Sequence, residues 1–153
     1  QSRAVQVVGV SDGDTITVVD AGQAQHRVRV AGIDAPEKGQ PFSERSKQAL
    51  SDMVFRRTVT IQWSKVDPYG RLVAKVLAPP PGPCPAPCEA RLDVNLAQVT
   101  AGLAWHYKAY AQEQSRTDRE AYALAELDAR WRHVGIWSQP EPIAPWEQRR
   151  SER

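Results

Sequence analysis

The chain has 153 residues, of which 41% are hydrophobic and 25% charged. That is enough for one ordinary domain with a sizeable core, and it is not the composition of a disordered chain. Twenty Lys+Arg against eighteen Asp+Glu leave a formal charge of +2, which excludes a polycation that binds nucleic acid by bulk charge alone but not a local basic site. No apolar run approaches the roughly 18 residues of a membrane-spanning helix. The chain opens at Gln1 with neither Met nor an apolar targeting segment, which reads as a removed signal peptide or a trimmed chain.

The first half reads as strands. Ala4 to Val10 is a short apolar run, and Ser11 to Asp14 is a turn. Thr15 to Val19 is rich in β-branched residues, and Asp20 to Gln23 is a second turn. His26 to Val30 alternates, with Val28 and Val30 on one side and Arg27 and Arg29 on the other. Ala31 to Gly39 reads as a loop. Pro41 to Val54 reads as a helix with Phe42, Ser46, Ala49, Leu50 and Met53 on one face. Thr58 to Trp63 and Arg71 to Leu77 read as strands around a Pro68-Tyr69-Gly70 turn.

Pro79 to Pro87 fits neither helix nor strand, because each proline removes an amide donor and fixes φ. Asp93 caps a predicted helix from Val94 to Ala101, ended by Gly102. Leu103 to Tyr110 reads as extended or irregular. Thr117 to Glu120 reads as a capping box opening a third helix, whose apolar stripe is Leu124, Leu127, Trp131 and Val134. Residues 138–153 read as a proline-punctuated, charged tail. Five strands and three helices without regular alternation point to a small closed barrel with helices outside, in a single domain over residues 1–153 with its core at about 4–137.

Asp12 and Asp14 flank Gly13 at a turn, and Asp34 and Glu37 lie in the loop after the third strand. Four carboxylates at two strand ends can converge into a site for a hard cation, calcium or magnesium rather than zinc or copper. Ordinary turn punctuation is the other reading of the same residues. Arg29 lies on the alternating strand that leads to Asp34, and Arg71 follows the Pro68-Tyr69-Gly70 turn. Two guanidinium groups beside a carboxylate-bound cation suit phosphate-ester cleavage, where charge grows on the phosphoryl oxygens. The alternative is two solvated strand arginines.

The motifs Asp12-Gly13-Asp14-Thr15-Ile16, Arg27 through Glu37 (RVRVAGIDAPE) and Asp67-Pro68-Tyr69-Gly70-Arg71 resemble the staphylococcal nuclease family. Val94-Asn95, Ala101-Gly102-Leu103-Ala104, the Ala125 to Arg130 helix and Gly135-Ile136-Trp137 follow in the family's order. The resemblance covers about residues 4 to 137. It implies an OB-fold, a five-stranded barrel with three α-helices, and a calcium-dependent nuclease of low sequence specificity that cuts DNA and RNA and leaves 3′-phosphates. By the same resemblance Asp14 and Asp34 would bind Ca2+ by side chain and Ala35 by its backbone carbonyl. Asp12 would hold metal-bound water, Glu37 would position the attacking water, and Arg29 and Arg71 would clamp the scissile phosphate. The expected substrates are DNA and RNA, single-stranded or open regions favoured, with a monomeric enzyme and no membrane partner.

Tyr69, Tyr107, Tyr110 and Trp105 are candidates to stack on bases, and the family's nucleotide pocket points to Tyr69 and to Tyr110 or Tyr107. Core packing is the other role open to them. Trp63, Trp131 and Trp137 are expected in the core. His26, His106 and His133 have no partner pattern. Cys84 and Cys88 are candidates for a local disulfide, with free thiols or an intermolecular bridge as alternatives; a disulfide would fit a secreted or periplasmic protein. The rival function is a non-catalytic binding or scaffold module of the same fold, which would have no use for the acid cluster.

Overall fold

Eight strands and four α-helices are formed among the described residues. The computed structural model describes residues 1–152. In chain order the elements are β1 (Ser2–Asp12), β2 (Thr15–Val19), β3 (Gln25–Val30), β4 (Ile33–Asp34), α1 (Ser43–Val54), β5 (Thr58–Val66), β6 (Leu72–Ala78), β7 (Leu92–Asp93), α2 (Val94–Thr100), β8 (Trp105–His106), α3 (Arg116–Arg132) and α4 (Pro145–Ser151). Short 3-10 segments run over Lys108–Glu113 and Gly135–Ser138.

β1 lies between β2 and β5, both antiparallel to it. β2 continues to β3, and β5 to β6. A parallel pairing of β3 with β6 closes the barrel, in the register Val28↔Leu72, Arg29↔Val73 and Val30↔Ala74. Closure removes the open edges that a five-stranded sheet would otherwise expose. Alternation along these strands sends Val5, Val7, Ile16, Val18, Val28, Val30, Val59, Ile61, Ala74 and Val76 inward. Their branched side chains fill a narrow barrel without polar atoms, and Leu50 and Val54 of α1 join the same cluster. This is the barrel expected from the sequence.

Asn95 at the start of α2 binds the barrel from inside the protein. Its Nδ2 donates to the Ala31 and Ala74 carbonyls at 2.9 and 3.2 Å, and its Oδ1 accepts from the Val76 amide at 3.0 Å. Asp93 caps α2 as expected, accepting from Leu96 N at 3.0 Å. Cys84 and Cys88 are joined by a disulfide in the proline-rich segment. Among the described residues no helix is long and apolar enough to cross a membrane.

The helices differ from expectation in three ways. The fourth helix, α4, stands where a charged tail was expected. Its docking surface is a second apolar cluster of Trp105, Ala129, Ile136, Trp137 and Ala144, with Phe42, Val134 and Trp146 packed against it. The cap of α3 is Ser115, whose Oγ accepts from Asp118 N at 3.1 Å, rather than Thr117. The buried face of α3 is Tyr122, Glu126 and Ala129, not the Leu124–Leu127–Trp131 stripe. Trp131 is 84% exposed and Leu124 66%. The reason is packing distance: the inner face carries Ala121, Ala125 and Ala129, which let α3 approach its neighbours closely, and the larger side chains are left outside. Trp137 is buried and Trp63 is partly buried against the core, so of the three tryptophans expected inside only Trp131 is not.

Candidate active site

The turn between β1 and β2 is built to aim Asp14. The Asp12 carboxylate accepts the Asp14 amide at 3.0 Å, which fixes the turn locally. The Gly13 carbonyl accepts from Gln98 Nε2 at 2.9 Å, and the same amide group donates to the Ser46 carbonyl at 3.0 Å. Ser46 Oγ donates in turn to the Leu103 carbonyl at 2.7 Å. A β-carbon on Gly13 would collide with the Ser46 side chain, so glycine is required there for α1 to close over the turn. Asp14 itself bridges two motifs. Its Oδ2 accepts the Ala35 amide at 2.9 Å, its Oδ1 accepts from Thr15 Oγ1 at 3.1 Å, and its carbonyl accepts the Val30 amide at 2.8 Å.

Asp34 is placed by the pairing of β4 with β8, in which it faces Trp105. The side chain is buried, and Glu37 follows on the loop with its amide donating to Gln40 Oε1 at 2.8 Å. Both carboxylates converge on one cation, the guanidinium of Arg149 on α4. Arg149 Nη2 lies 2.7 Å from Asp34 Oδ2, and its Nη1 lies 3.1 Å from Asp34 Oδ1 and 2.6 Å from Glu37 Oε1.

The electrostatics follow from this crowding. Burial pushes the Asp14 carboxyl well above the usual carboxylate range, and the neighbouring charges of Asp12 and Asp34 push it further. Burial also raises Asp34, against the pull of Arg149 and Arg29. The hydrogen bonds to Asp34 and Glu37 hold Arg149 still more firmly protonated than a free arginine. Among the described residues no group of three or more acidic, histidine or cysteine side chains is close enough to hold a metal ion by side chains alone. The donors implied by the family are two side chains and one carbonyl, and these fit a hard cation here. Asp14 is hydrogen-bonded to Ala35, Asp34 is the residue just before it, and a guanidinium already sits on Asp34 as a cationic stand-in.

Arg29 projects from β3 beside this acid group. Its Nη1 is 3.3 Å from Glu113 Oε1, and its guanidinium lies 5.7 Å from the Tyr107 ring centre and 5.6 Å from that of Tyr110. Tyr107 and Tyr110 pack edge to face at 4.7 Å. Arg71 and Tyr69 form a separate group at the β5–β6 turn. Arg71 Nε donates to Asp67 Oδ2 at 2.7 Å, and its guanidinium lies 5.5 Å from the Tyr69 ring. Arg71 lies just before β6, two residues ahead of Val73, the register partner of Arg29. Among the described residues Arg71 makes no hydrogen bond to Asp14, Asp34 or Glu37. Tyr69 is 73% exposed.

Sequence reasoning missed Arg149 and Trp146. The signal was present: Pro145 occupies the first turn of α4, where its missing amide costs nothing, and two arginines close the last turn. The Trp146 ring stacks on Tyr107 at 5.1 Å and meets Trp105 edge-on at 5.2 Å, which pins α4 against the site. His106 is buried with Nε2 3.0 Å from Gln114 Oε1, and burial lowers its pKa, so it stays neutral and structural.

A family model described as staphylococcal nuclease homologue matches residues 27–139. Over 148 residues the chain is 38% identical to a micrococcal nuclease of Shigella flexneri, covering 97% of this chain and 81% of that protein. It is 41% identical to the protein ParB of Escherichia coli over 95% of this chain and 78% of that one. An uncharacterized endonuclease of Haemophilus influenzae is 34% identical over 100% of this chain and 76% of its own.

Proposed function

The chain belongs to the staphylococcal nuclease family, and we propose that it is a calcium-dependent nuclease that hydrolyses DNA and RNA phosphodiester bonds with low sequence specificity and leaves 3′-phosphate ends. The observation that carries this reading is the convergence of Asp34 and Glu37 on one cationic position, with Asp14 held beside them and Arg29 adjoining. A binding module of the same fold has no use for buried, mutually repelling carboxylates, which cost stability wherever nothing neutralises them. The nuclease names of the relatives support the same class of reaction.

Asp14, Asp34 and the Ala35 carbonyl would hold the calcium, and Asp12 would fix the turn and bind metal-held water. Calcium there would supply positive charge for the phosphoryl oxygens as negative charge grows on them. Glu37, half-buried on the loop after β4, accepts a proton from water and orients it for in-line attack on phosphorus. Arg29 and Arg71 donate N–H groups to the phosphoryl oxygens in the crowded transition state. Tyr69 and Tyr110 offer exposed rings, and Tyr107 a half-buried one stacked on Trp146, against which bases pack in any sequence. The Cys84–Cys88 disulfide supports a life in an oxidising compartment, the periplasm or the medium.

The test is digestion of single-stranded DNA and of RNA with calcium, with magnesium and with excess chelator, followed by analysis of the product ends. Cleavage with calcium, its loss on chelation and 3′-phosphate products are expected. Intact substrate after hours with calcium overturns the reading.

A further inference from the structure

Helix α4 lies beyond the 27–139 stretch matched by the family model, yet it reaches the centre of the site. It is firmly placed. Ala144 and Pro145 are buried, and Trp146 is wedged between Tyr107 and Trp105. Between α4 and the turn after β8 runs a cleft of about 530 Å³, lined by Tyr107, Lys108, Ala109, Trp146, Arg149 and Arg150. The lining holds three cations and no carboxylate. Lys108 is tied to Glu126 at 2.7 Å, while Arg150 is exposed and has no acidic partner among the described residues. Arg149 belongs to two environments at once: it lines this cleft and it occupies Asp34 and Glu37.

We propose that the cleft is a phosphate subsite for the nucleic-acid strand beside the reaction centre, and that Arg149 is a shared ligand. It neutralises Asp34 and Glu37 while these carry no divalent cation, and it turns to a strand phosphate once a cation takes them. The inference rests on the nuclease reading of the same acids. Its physical basis is competition. A guanidinium bonded to both oxygens of Asp34 and a dication bound to the same carboxylate repel each other at close range. The planar fork that fits a carboxylate also fits a phosphate, so Arg149 exchanges one bidentate partner for another. Arg150 supplies a second grip, and the fixed Tyr107–Trp146 pair forms the apolar wall that favours a nucleotide over a bare anion.

The experiment is calorimetric titration of the full chain with calcium, with thymidine 3′-monophosphate and with inorganic phosphate, the last two in the presence of calcium. The mononucleotide has no phosphodiester bond to cut. Arg149→Ala is expected to bind calcium at least fivefold more tightly and the mononucleotide at least fivefold more weakly than the wild type, a coupling of ordinary size. Arg150→Ala is expected to weaken the mononucleotide and leave calcium affinity alone, which tests the cleft even if the first variant folds poorly. Calcium affinity unchanged or weakened in Arg149→Ala overturns the inference, as does mononucleotide affinity unchanged in both variants. Inorganic phosphate binding as tightly as the mononucleotide overturns the assignment to a strand. If the wild type cuts DNA with calcium while the variants bind as it does, the nuclease reading stands and the subsite falls. A wild type that binds no calcium sinks both.

Discussion

Gln98 donates a 2.9 Å hydrogen bond from its side-chain amide to the carbonyl of Gly13, which ties α2 to the turn that presents Asp14. The bond spans 85 positions of sequence, and the same nitrogen reaches Ser46 of α1 at 3.0 Å. One buried amide therefore fixes the distance between two helices and one acid of the candidate site.

Replacing that amide tests the grip. Gln98→Leu keeps the approximate volume and leaves the Gly13 and Ser46 carbonyls buried without this donor. An unsatisfied buried group costs about 1–3 kcal/mol, so urea unfolding of the variant is expected to show a loss of about 2 kcal/mol or more. Calcium affinity should fall with it, because Asp14 loses the support behind its turn. A variant with the wild-type urea midpoint would show that the bond carries no weight.

Glu37 and Arg29 are expected to matter for turnover more than for folding. Glu37 lies on a loop, and its carboxylate holds no backbone in place. Glu37→Gln removes the proton acceptor while keeping the shape, and general-base contributions run to about 10²–10⁴-fold. A kcat reduced by that range, with KM and thermal midpoint little changed, is the expected result. Arg29→Lys keeps the charge but loses the planar fork, and a fall in kcat of about 10²-fold or more is expected. Wild-type turnover in either variant, measured on single-stranded DNA, removes the role given to that residue.

The barrel and the acid group were readable from the sequence for a definite reason. Alternation in HRVRV and TITVV reports which side of a strand is buried, and Asp-Gly-Asp and Ile-Asp-Ala-Pro-Glu mark turns whose side chains point together once the barrel closes. Arg149 was not readable, because its partners Asp34 and Glu37 lie 115 and 112 positions away and nothing local distinguishes it from the other arginines of the tail. The face of α3 was misread for another reason. Periodicity finds where large apolar residues repeat, but close helix contacts select small ones, and Ala121, Ala125 and Ala129 carry little hydrophobic signal beside Leu124, Leu127 and Trp131.

That reversal of α3 makes a sharp pair of expectations. Trp131→Ser removes a large apolar side chain from water, not from the core, so the thermal midpoint should move by no more than the surface range of about 0.5 kcal/mol. Ala129→Leu adds three carbons to a position with no exposure, on the face that meets Trp105 and Trp137. Overpacking costs about 1–3 kcal/mol, and differential scanning calorimetry should place this variant several degrees below the first. The opposite order would return the Leu124–Trp131 stripe to the interior.

Asp14 sets the expected response to pH in metal-free protein. Burial and the charges of Asp12 and Asp34 raise its folded pKa above the ordinary value of 3.8. An acid raised on folding opposes folding while ionised. The penalty is complete above the folded value, shrinks as pH falls through it, and is gone below the unfolded one. Asp14→Asn removes the charge and keeps one acceptor oxygen for the Ala35 amide, while its new NH2 group turns to the Thr15 hydroxyl, which accepts instead of donating. The variant is therefore expected to exceed the wild type in stability by about 1 kcal/mol at pH 7, within the range of charge relief at functional sites. The two should converge as pH approaches 4. Thermal melts of both proteins in chelator, from pH 7 down to pH 4, measure the difference directly. Burial lowers the pKa of His106, so its own contribution is present above the ordinary value of 6.5 and is lost as pH falls through the lowered folded value, equally in both proteins. It cancels in the comparison, and what remains is the cost of holding Asp14 ready for a cation. Added calcium should reverse the order, stabilising the wild type more than the variant, because only the wild type keeps the full charge to bind it.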